Sequence, residues 1–402
     1  MASPLDGIKV VELATWVAAP STCAMLADLG ANVVKIEAPE GDPYRGYVAL
    51  PGEEQQPPLS PPFQMDNRGK RSLTLNLSRP QARQIARRLI DGADVFVTNM
   101  VPERLQRYGL TYAQLCRRSP RLIYANLTGY GTKGPERNRL GFDYAAFWAR
   151  SGIMGMLGEP DATPPPQRPG MGDHTTSMLI VAAIALALYV RERTGRGQEV
   201  QVSLLNTALW VLGMDLQTAL VAGHPPAKTS RRAVANPLWN FYRASDDHWV
   251  MLVMLQADRY WSSFCQAIER PDLENDSRFV DIKSRGKNNT DLIAILDEVF
   301  VARPRDEWGR RFNDAGLIWA PVQTVEEVLS DPQVRANKYL ARFDDPTLGP
   351  VRTVATPIKF SETPSSVRGP APEIGQHTEE VLLELGYDWE DIIRLRESGA
   401  LG

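Results

Sequence analysis

The stretch Gly172-Asp173-His174-Thr175-Thr176 stands immediately before an apolar run, residues 178–190, that reads as a buried helix. A carboxylate at that junction has two readings. As a helix cap, Asp173 would accept hydrogen bonds from the free N–H groups of the first turn, and on spacing alone this is the preferred reading. As a nucleophile it would use the same place differently. A helix N-terminus favours the ionised carboxylate, covalent attack on an activated carbonyl requires one, and neighbouring N–H groups would stabilise an oxyanion. His174 is tempting as a base. An ionised carboxylate needs none, however, and consecutive residues entering a helix point to different sides, so His174 is assigned no catalytic part.

Three other patterns invite a chemical reading, and each fails on context. Gly129, Gly131 and Gly134 spell G-x-G-x-x-G directly after a predicted strand at 121–127. A dinucleotide-binding turn needs a helix opening at its glycines to aim an N-terminus at pyrophosphate, whereas here Pro135 and the polar run ERNR follow. Gly69-Lys70-Arg71-Ser72 and Gly286-Lys287-Asn288 lack the glycine spacing of a phosphate-binding loop. There is no G-x-S-x-G elbow, and the four histidines, His174, His224, His248 and His377, show no ligand spacing, so no metal is expected.

The chain that positions these residues has 402 of them, more than one ordinary domain of roughly 100–200 residues. Its 43% hydrophobic and 23% charged residues are close to the globular average. A net charge of −3 offers no cationic excess for phosphate neutralisation, which argues against a nucleic-acid partner. Cys23, Cys116 and Cys265 are far apart and odd in number, against a disulfide framework. The start, MASPLDGIKVVEL, lacks the basic and apolar regions of a signal peptide, and the run 178–190 falls short of the roughly 20 residues that cross a bilayer. These features predict a cytoplasmic protein with no membrane partner.

Strand and helix patterns alternate from the beginning: strands at 8–13, 32–37, 72–77, 94–99 and 121–127, with helices near 25–29, 81–90 and 103–108 between them. Gly30 stops the first helix as a C-terminal glycine does. The rhythm predicts a doubly wound α/β domain with a parallel sheet. A Pro- and Gly-rich segment at 38–65 and a second at 163–170 are candidate walls of a site. From about Asn236 the texture changes to two strands joined at Asp246 and Asp247, followed by helices at 260–268 and 289–300, a smaller α+β unit. The expected division is 1–225, 226–330 and 331–402, with a last helix at 379–386 whose packing partner the sequence leaves open.

Taken in order, GIKVVELATWVAAPSTCAMLADLGANVVKIEAPEGDPYRG, KRSLTLNL, ADVFVTN, RLIYANLTGYGTKGP, GFDYAAFWARSG, MGDHTTS, RTGRGQEVQVSLL and RPRDEWGRRFNDAGLIWAPVQTVEEVLSDPQV resemble successive blocks of the class III CoA-transferases of the CaiB/BaiF type. The resemblance runs over nearly the whole chain and comes closest to the branch acting on aryl and 2-hydroxy acids. It implies a Rossmann-like large domain made from both chain ends, a small inserted domain, and a homodimer whose subunits are threaded through each other like linked rings. It implies that Asp173 is the nucleophile that carries CoA from an acyl-CoA donor to a carboxylic acid acceptor through an aspartyl-CoA thioester. Coenzyme A is then a substrate, and no permanently bound cofactor is implied.

By match of position, the same resemblance lays CoA along Val17, Ala18, Leu75, Asn76, Asn99, Met100, Arg107, Gly129 and Tyr130, with Arg107 the best-matched cation for a phosphate. The chain departs from the formyl-CoA transferase pattern at Ala38, Ser78 and Val101, where that branch has basic residues, which shifts phosphate recognition to Arg45, Lys70 or Arg71. The glycine-rich lid of that branch has no counterpart between Gly223 and Asn236. Two alternatives stand beside the transferase. An α-methylacyl-CoA racemase would need a histidine where Gly141-Phe142-Asp143 has Phe142, which cannot exchange a proton. A non-catalytic CoA-binding protein would not need Asp173. Phe147 and Trp148 could line an acyl pocket, although a core role is the preferred reading of such a pair.

Overall fold

Buried residues alternate between two faces along each of the first strands, and that alternation sets the architecture. Val10, Val33, Val95, Val97, Ile123 and Ala125 point into one hydrophobic core; Val11, Val34, Phe96 and Tyr124 point into another on the opposite side. In this computed structural model, which describes residues 3–47, 52, 57–346 and 348–402, the chain divides into two units. The first comprises Met1–Gly155, Pro166–His224 and Arg335–Gly402, and the second Met156–Pro165 and Pro225–Val334. The short stretch 156–165, which the sequence reading gives to the large domain, is thus part of the second unit.

The first unit is built on a six-stranded parallel sheet in the order β3-β2-β1-β4-β5-β6. Its strands are β1 (Lys9–Leu13), β2 (Asn32–Glu37), β3 (Arg71–Thr74), β4 (Val95–Thr98), β5 (Ile123–Thr128) and β6 (Glu199–Ser203). The sixth strand, short and only partly buried, is not among the predicted ones. Helices α1 (Ala18–Asp28), α2 (Pro61–Asn67), α3 (Pro80–Asp91), α4 (Pro102–Tyr108), α5 (Tyr112–Leu115), α6 (Ile153–Met156), α7 (Met171–Thr194), α8 (Leu204–Val211) and α9 (Gly213–Ala222) follow in chain order. Helices α1, α7 and α8 cover one face of the sheet; α3 and α4 cover the other. Helix α1 ends where expected: Leu29 caps it and Gly30 turns away at φ 111°, a left-handed conformation that suits glycine.

Helix α7 has 24 residues and is long and apolar enough, by composition, to cross a bilayer, because it extends beyond the run seen in the sequence. Ile180, Val181, Ile184, Ala187 and Leu188 pack it into the core. Of the predicted loop at 38–65, residues 48–51 and 53–56 lie outside the described residues, as do Met1, Ala2 and Thr347. The described parts of that loop form a 3₁₀ turn, Pro43–Gly46, and helix α2.

The second unit carries an antiparallel sheet of β7 (Phe241–Arg243), β8 (Trp249–Leu252) and β9 (Trp319–Val322), with helices α10 (Ala257–Ala267), α11 (Ile282–Lys287), α12 (Asn289–Phe300), α13 (Arg305–Asp314) and α14 (Val325–Ser330). Its core is aromatic, with Phe300 against Tyr242, Trp308 and Phe312. After α15 (Pro332–Ala336), a hairpin of β10 (Leu340–Asp345) and β11 (Gly349–Val354) leads to α16 (Thr378–Glu384) and α17 (Trp389–Glu397). Val381, Leu382 and Ile392 complete the α3 face of the large sheet, which answers where the last helix packs.

Candidate active site

Strand order reverses direction between β1 and β4, the switch point at which open parallel sheets leave a crevice beyond their carboxyl ends. The crevice is there, about 660 Å³ in volume. Leu75 and Asn76 after β3, Asn99 and Met100 after β4, and Gly129 after β5 line it together with Val17, Ala18 and Asp173. Asn99 braces the switch point: its amide donates to the carbonyl of Thr15 (2.7 Å) and its oxygen accepts from the Thr15 N–H (3.2 Å). Asn76 is tied to the C-terminal chain, its side chain donating to Gly399 O at 3.1 Å. Gly129 and Gly141 lie back to back, and a Cβ on either would come within 2.6 Å of the other's Cα, so this pair of glycines serves a close backbone approach.

Asp173 is the third residue of α7, and Gly170, in a left-handed conformation, is the N-cap. The capping reading of Asp173 is therefore wrong. The carboxylate sits within the first turn and faces the crevice, and it makes no hydrogen bond among the described residues. Gly172 lets the helix start this close to its neighbours, since a Cβ there would lie 2.3 Å from Asp143 Oδ1 and from the Phe147 ring. Phe147 and Trp148 are buried in the core, on a π-helical turn, Asp143–Ala149.

The expected depression of the Asp173 pKa by the helix end is also corrected. Burial pushes it up to about 7, the charges of Asp143 and Asp66 add to the rise, and His174 opposes it. Asp143, 4% exposed, is likewise raised by burial; the amides of Gly172 and Gly170 and the Trp148 indole lie near it without reaching full hydrogen-bond geometry. His174 Nε2 lies 3.0 Å from Asp66 Oδ1. Burial disfavours its cation, but the bond to Asp66 and the surrounding carboxylates raise its pKa above the usual value.

Beneath the crevice lies a buried ionic network. Lys35 pairs with Glu12 (2.7 Å) and Asp42 (2.9 Å), and Lys70 pairs with Glu12 (2.7 Å), all four side chains fully or almost fully buried. Asp42 Oδ1 in turn accepts from the N–H groups of Trp16 (3.2 Å) and Tyr44 (3.0 Å). Trp16 is held at φ 70°, a costly conformation for a side chain of this size, and packs edge-on against Phe142 at 5.3 Å on the crevice wall.

The three cations expected to take over phosphate binding are engaged elsewhere. Arg45 pairs with Glu37 and Pro372 O, Arg71 with Glu380 and Glu384, and Lys70 is sealed in the network. Arg107 does not line the crevice; it lies about 200° around α4 from the buried Leu105 and points outward, its guanidinium over Tyr108. Arg104, one turn before Tyr108, lines the crevice with Arg137 and Arg139. Tyr130 is outside the lining and stacks under the Arg139 guanidinium at 5.3 Å. Sequence reasoning missed Arg104, Asp66 and Trp16. The i, i+4 relation of Arg104 to Tyr108 was a usable signal; nothing in the sequence joins Asp66 to His174, 108 positions away.

Comparison with known proteins matches residues 5–378 to the model of the CoA-transferase family III. The chain is 35% identical over 394 residues to the cinnamoyl-CoA:phenyllactate CoA-transferase of Clostridium sporogenes, covering 98% of this chain and 96% of that one. It is 35% identical over 399 residues to the (R)-2-hydroxy-4-methylpentanoate CoA-transferase of Clostridioides difficile, covering 98% of each. Among solved structures, a CaiB/BaiF family protein from Brucella suis superposes with a TM-score of 0.85 at 32% identity, covering 96% of this chain and all of that one.

Proposed function

The chain belongs to the CoA-transferase family III and is an enzyme of that class, and we propose that it moves CoA between an acyl-CoA and a carboxylic acid through covalent intermediates on Asp173. The observation that carries this reading is a largely buried carboxylate facing the crevice at the carboxyl ends of the strands. Asp173 attacks the donor thioester carbonyl, the C–S bond breaks, and a mixed anhydride and CoA thiolate result. The thiolate attacks the aspartyl carbonyl, releases the donor acid and leaves an aspartyl-CoA thioester. The acceptor carboxylate attacks that thioester, forming a second anhydride and freeing the thiolate. The thiolate then takes the acceptor's acyl group and restores Asp173. Each step exchanges one activated acyl bond for another, so the energy of the thioester is kept.

Burial serves this chemistry in two ways. It excludes water from the anhydrides and the thioester, and it raises the basicity of the nucleophile. The first amides of α1, following Val17, have no acceptor within the helix and are the natural donors to a tetrahedral oxyanion. CoA would run along Leu75, Asn99 and Gly129, with Arg104 and Arg137, exposed at the crevice rim, meeting its phosphates. Acids like those of the two clostridial relatives, carrying an aryl or branched 2-hydroxyacyl group, are the acceptors to try first. A homodimer fits the exposed apolar residues Leu186, Tyr189, Trp210, Met214, Leu220 and Val221 on α7, α8 and α9, and a cytoplasmic location fits a CoA substrate.

The test is transfer of CoA from cinnamoyl-CoA to phenyllactate, followed by chromatography of the two thioesters, with a panel of other pairs beside it. Wild-type transfer that falls at least a thousandfold in Asp173→Ala supports the reading. Transfer that survives the substitution rejects it.

A further inference from the structure

Directly behind the nucleophile the first unit builds an ion pair that the transfer steps above do not use. His174 follows Asp173 on α7, and its Nε2 lies 3.0 Å from Oδ1 of Asp66, a residue 1% exposed on α2. Asp66 is itself held from two sides: Tyr44 Oη donates to its Oδ2 at 3.3 Å, and Lys70 Nζ donates to its carbonyl at 2.9 Å. The far side of the imidazole rests near Gly170, where a Cβ would lie in ordinary contact at 3.4–3.5 Å from the ring. Such fixing of a side chain next to the attacking carboxylate has an electrostatic consequence.

Asp173 is surrounded by groups of its own sign. Asp143 faces it from the π-helical turn and Asp66 from α2, while Tyr44 and Tyr144 feel its charge from the 3₁₀ turn and the π-helical turn. Arg168, in the loop before α7, acts on Tyr144. Among the described residues the cation acting on Asp173 is His174, and His174 acts in the same sense on Asp143.

We propose that Asp66 and His174 form a positioning and charge-balancing pair for Asp173, in which Asp66 keeps the imidazole protonated so that the nucleophile can ionise beside two other aspartates. This rests on the reading of Asp173 as the nucleophile. The pair makes no bond to substrate and transfers no proton. Its effect is on the pH at which the attacking carboxylate becomes available: with the imidazolium in place Asp173 ionises at a lower pH than it would alone.

The experiment is single-turnover release of the donor acid from an acyl-CoA, measured without acceptor from pH 5.5 to 8.5 in the full-length wild type and in His174→Gln. The expected result is a rate lower on the order of tenfold at pH 6 and within about twofold of wild type at pH 8.5, where the carboxylate is ionised in either case. A loss of equal size at both pH values, or no loss at either, overturns the pair's role. A second measurement does not depend on how the variant folds. In Asp173→Asn, the His174 ring protons followed by NMR should titrate at lower pH than in the wild type, because the coupling is reciprocal; identical titrations overturn the proposal. Wild-type protein that releases no donor acid at any pH in an Asp173-dependent way refutes the transferase reading itself, and is recognised before any variant is compared.

Discussion

Replacing Asp173 should make the protein more stable, and only at the right pH. In the fold, burial and the charge of Asp143 hold the Asp173 carboxyl near pH 7, against an ordinary value of 3.8. The unfolded chain therefore gives up this proton first as pH rises. Between about pH 4 and 7 the folded state binds more protons than the unfolded state, so raising pH drains stability across that window, and above pH 7 the whole penalty is present. The gap corresponds to about 4 kcal/mol if unscreened, and about 2–4 kcal/mol once partial solvent contact is allowed for. Asp173→Asn has the shape of the protonated acid and none of this cost. Urea unfolding of both proteins at pH 4.5 and pH 8 measures it. The expected result is an Asn variant within about 1 kcal/mol of wild type at pH 4.5 and more stable by about 2–4 kcal/mol at pH 8, with transfer abolished. A stability difference that is the same at both pH values, or a wild type that is the more stable at pH 8, would refute the claim that the site holds its carboxylate at a cost.

Three further outcomes follow from other parts of the site. Lys35→Met leaves the buried Asp42 carboxylate without its cation and Glu12 with Lys70 alone, and should cost about 3–5 kcal/mol in chemical unfolding. Gly172→Ala drives a methyl group into Asp143 and Phe147; an overpacking loss of about 1–3 kcal/mol, together with a fall in kcat from the displaced Asp173, is expected from melting and rate measurements. Arg104→Ala should raise KM for acyl-CoA by about tenfold with kcat little changed, whereas Arg107→Ala should leave both alone, a contrast read from initial rates at low salt.

Much of the scaffold was legible in the sequence because it follows from periodicity. The runs of β-branched residues at 8–13, 32–37, 94–99 and 121–127 sit in the strands β1, β2, β4 and β5, and the polar turn at Asp246 and Asp247 joins β7 to β8. β6 escaped because it is short and only partly buried, and the β10–β11 hairpin because none of its apolar residues is fully buried, Asp345 being its one buried residue. The position of Asp173 before a helix drew attention to it, but on spacing alone it read as a cap, and the reading as nucleophile came from the resemblance to the family. What local rules could not supply was its surroundings: a helix end alone argues for a lowered pKa, while Asp143 and Asp66, brought up from distant segments, and burial argue the other way and win. Charge assignments fared worst for the same reason. Whether an Arg or Lys is free for a phosphate depends on partners such as Glu37, Glu380 and Glu12, and those pairings are set by the tertiary fold.

The most direct test of the covalent route is to trap the intermediate. The protein is incubated with a panel of acyl-CoA donors and then with hydroxylamine or borohydride, and intact mass with peptide mapping locates any adduct. A modification confined to Asp173, and absent from Asp173→Ala, is the predicted result. No adduct with any donor, alongside exchange of the substrate α-proton in deuterated water, would contradict the account and favour an isomerase.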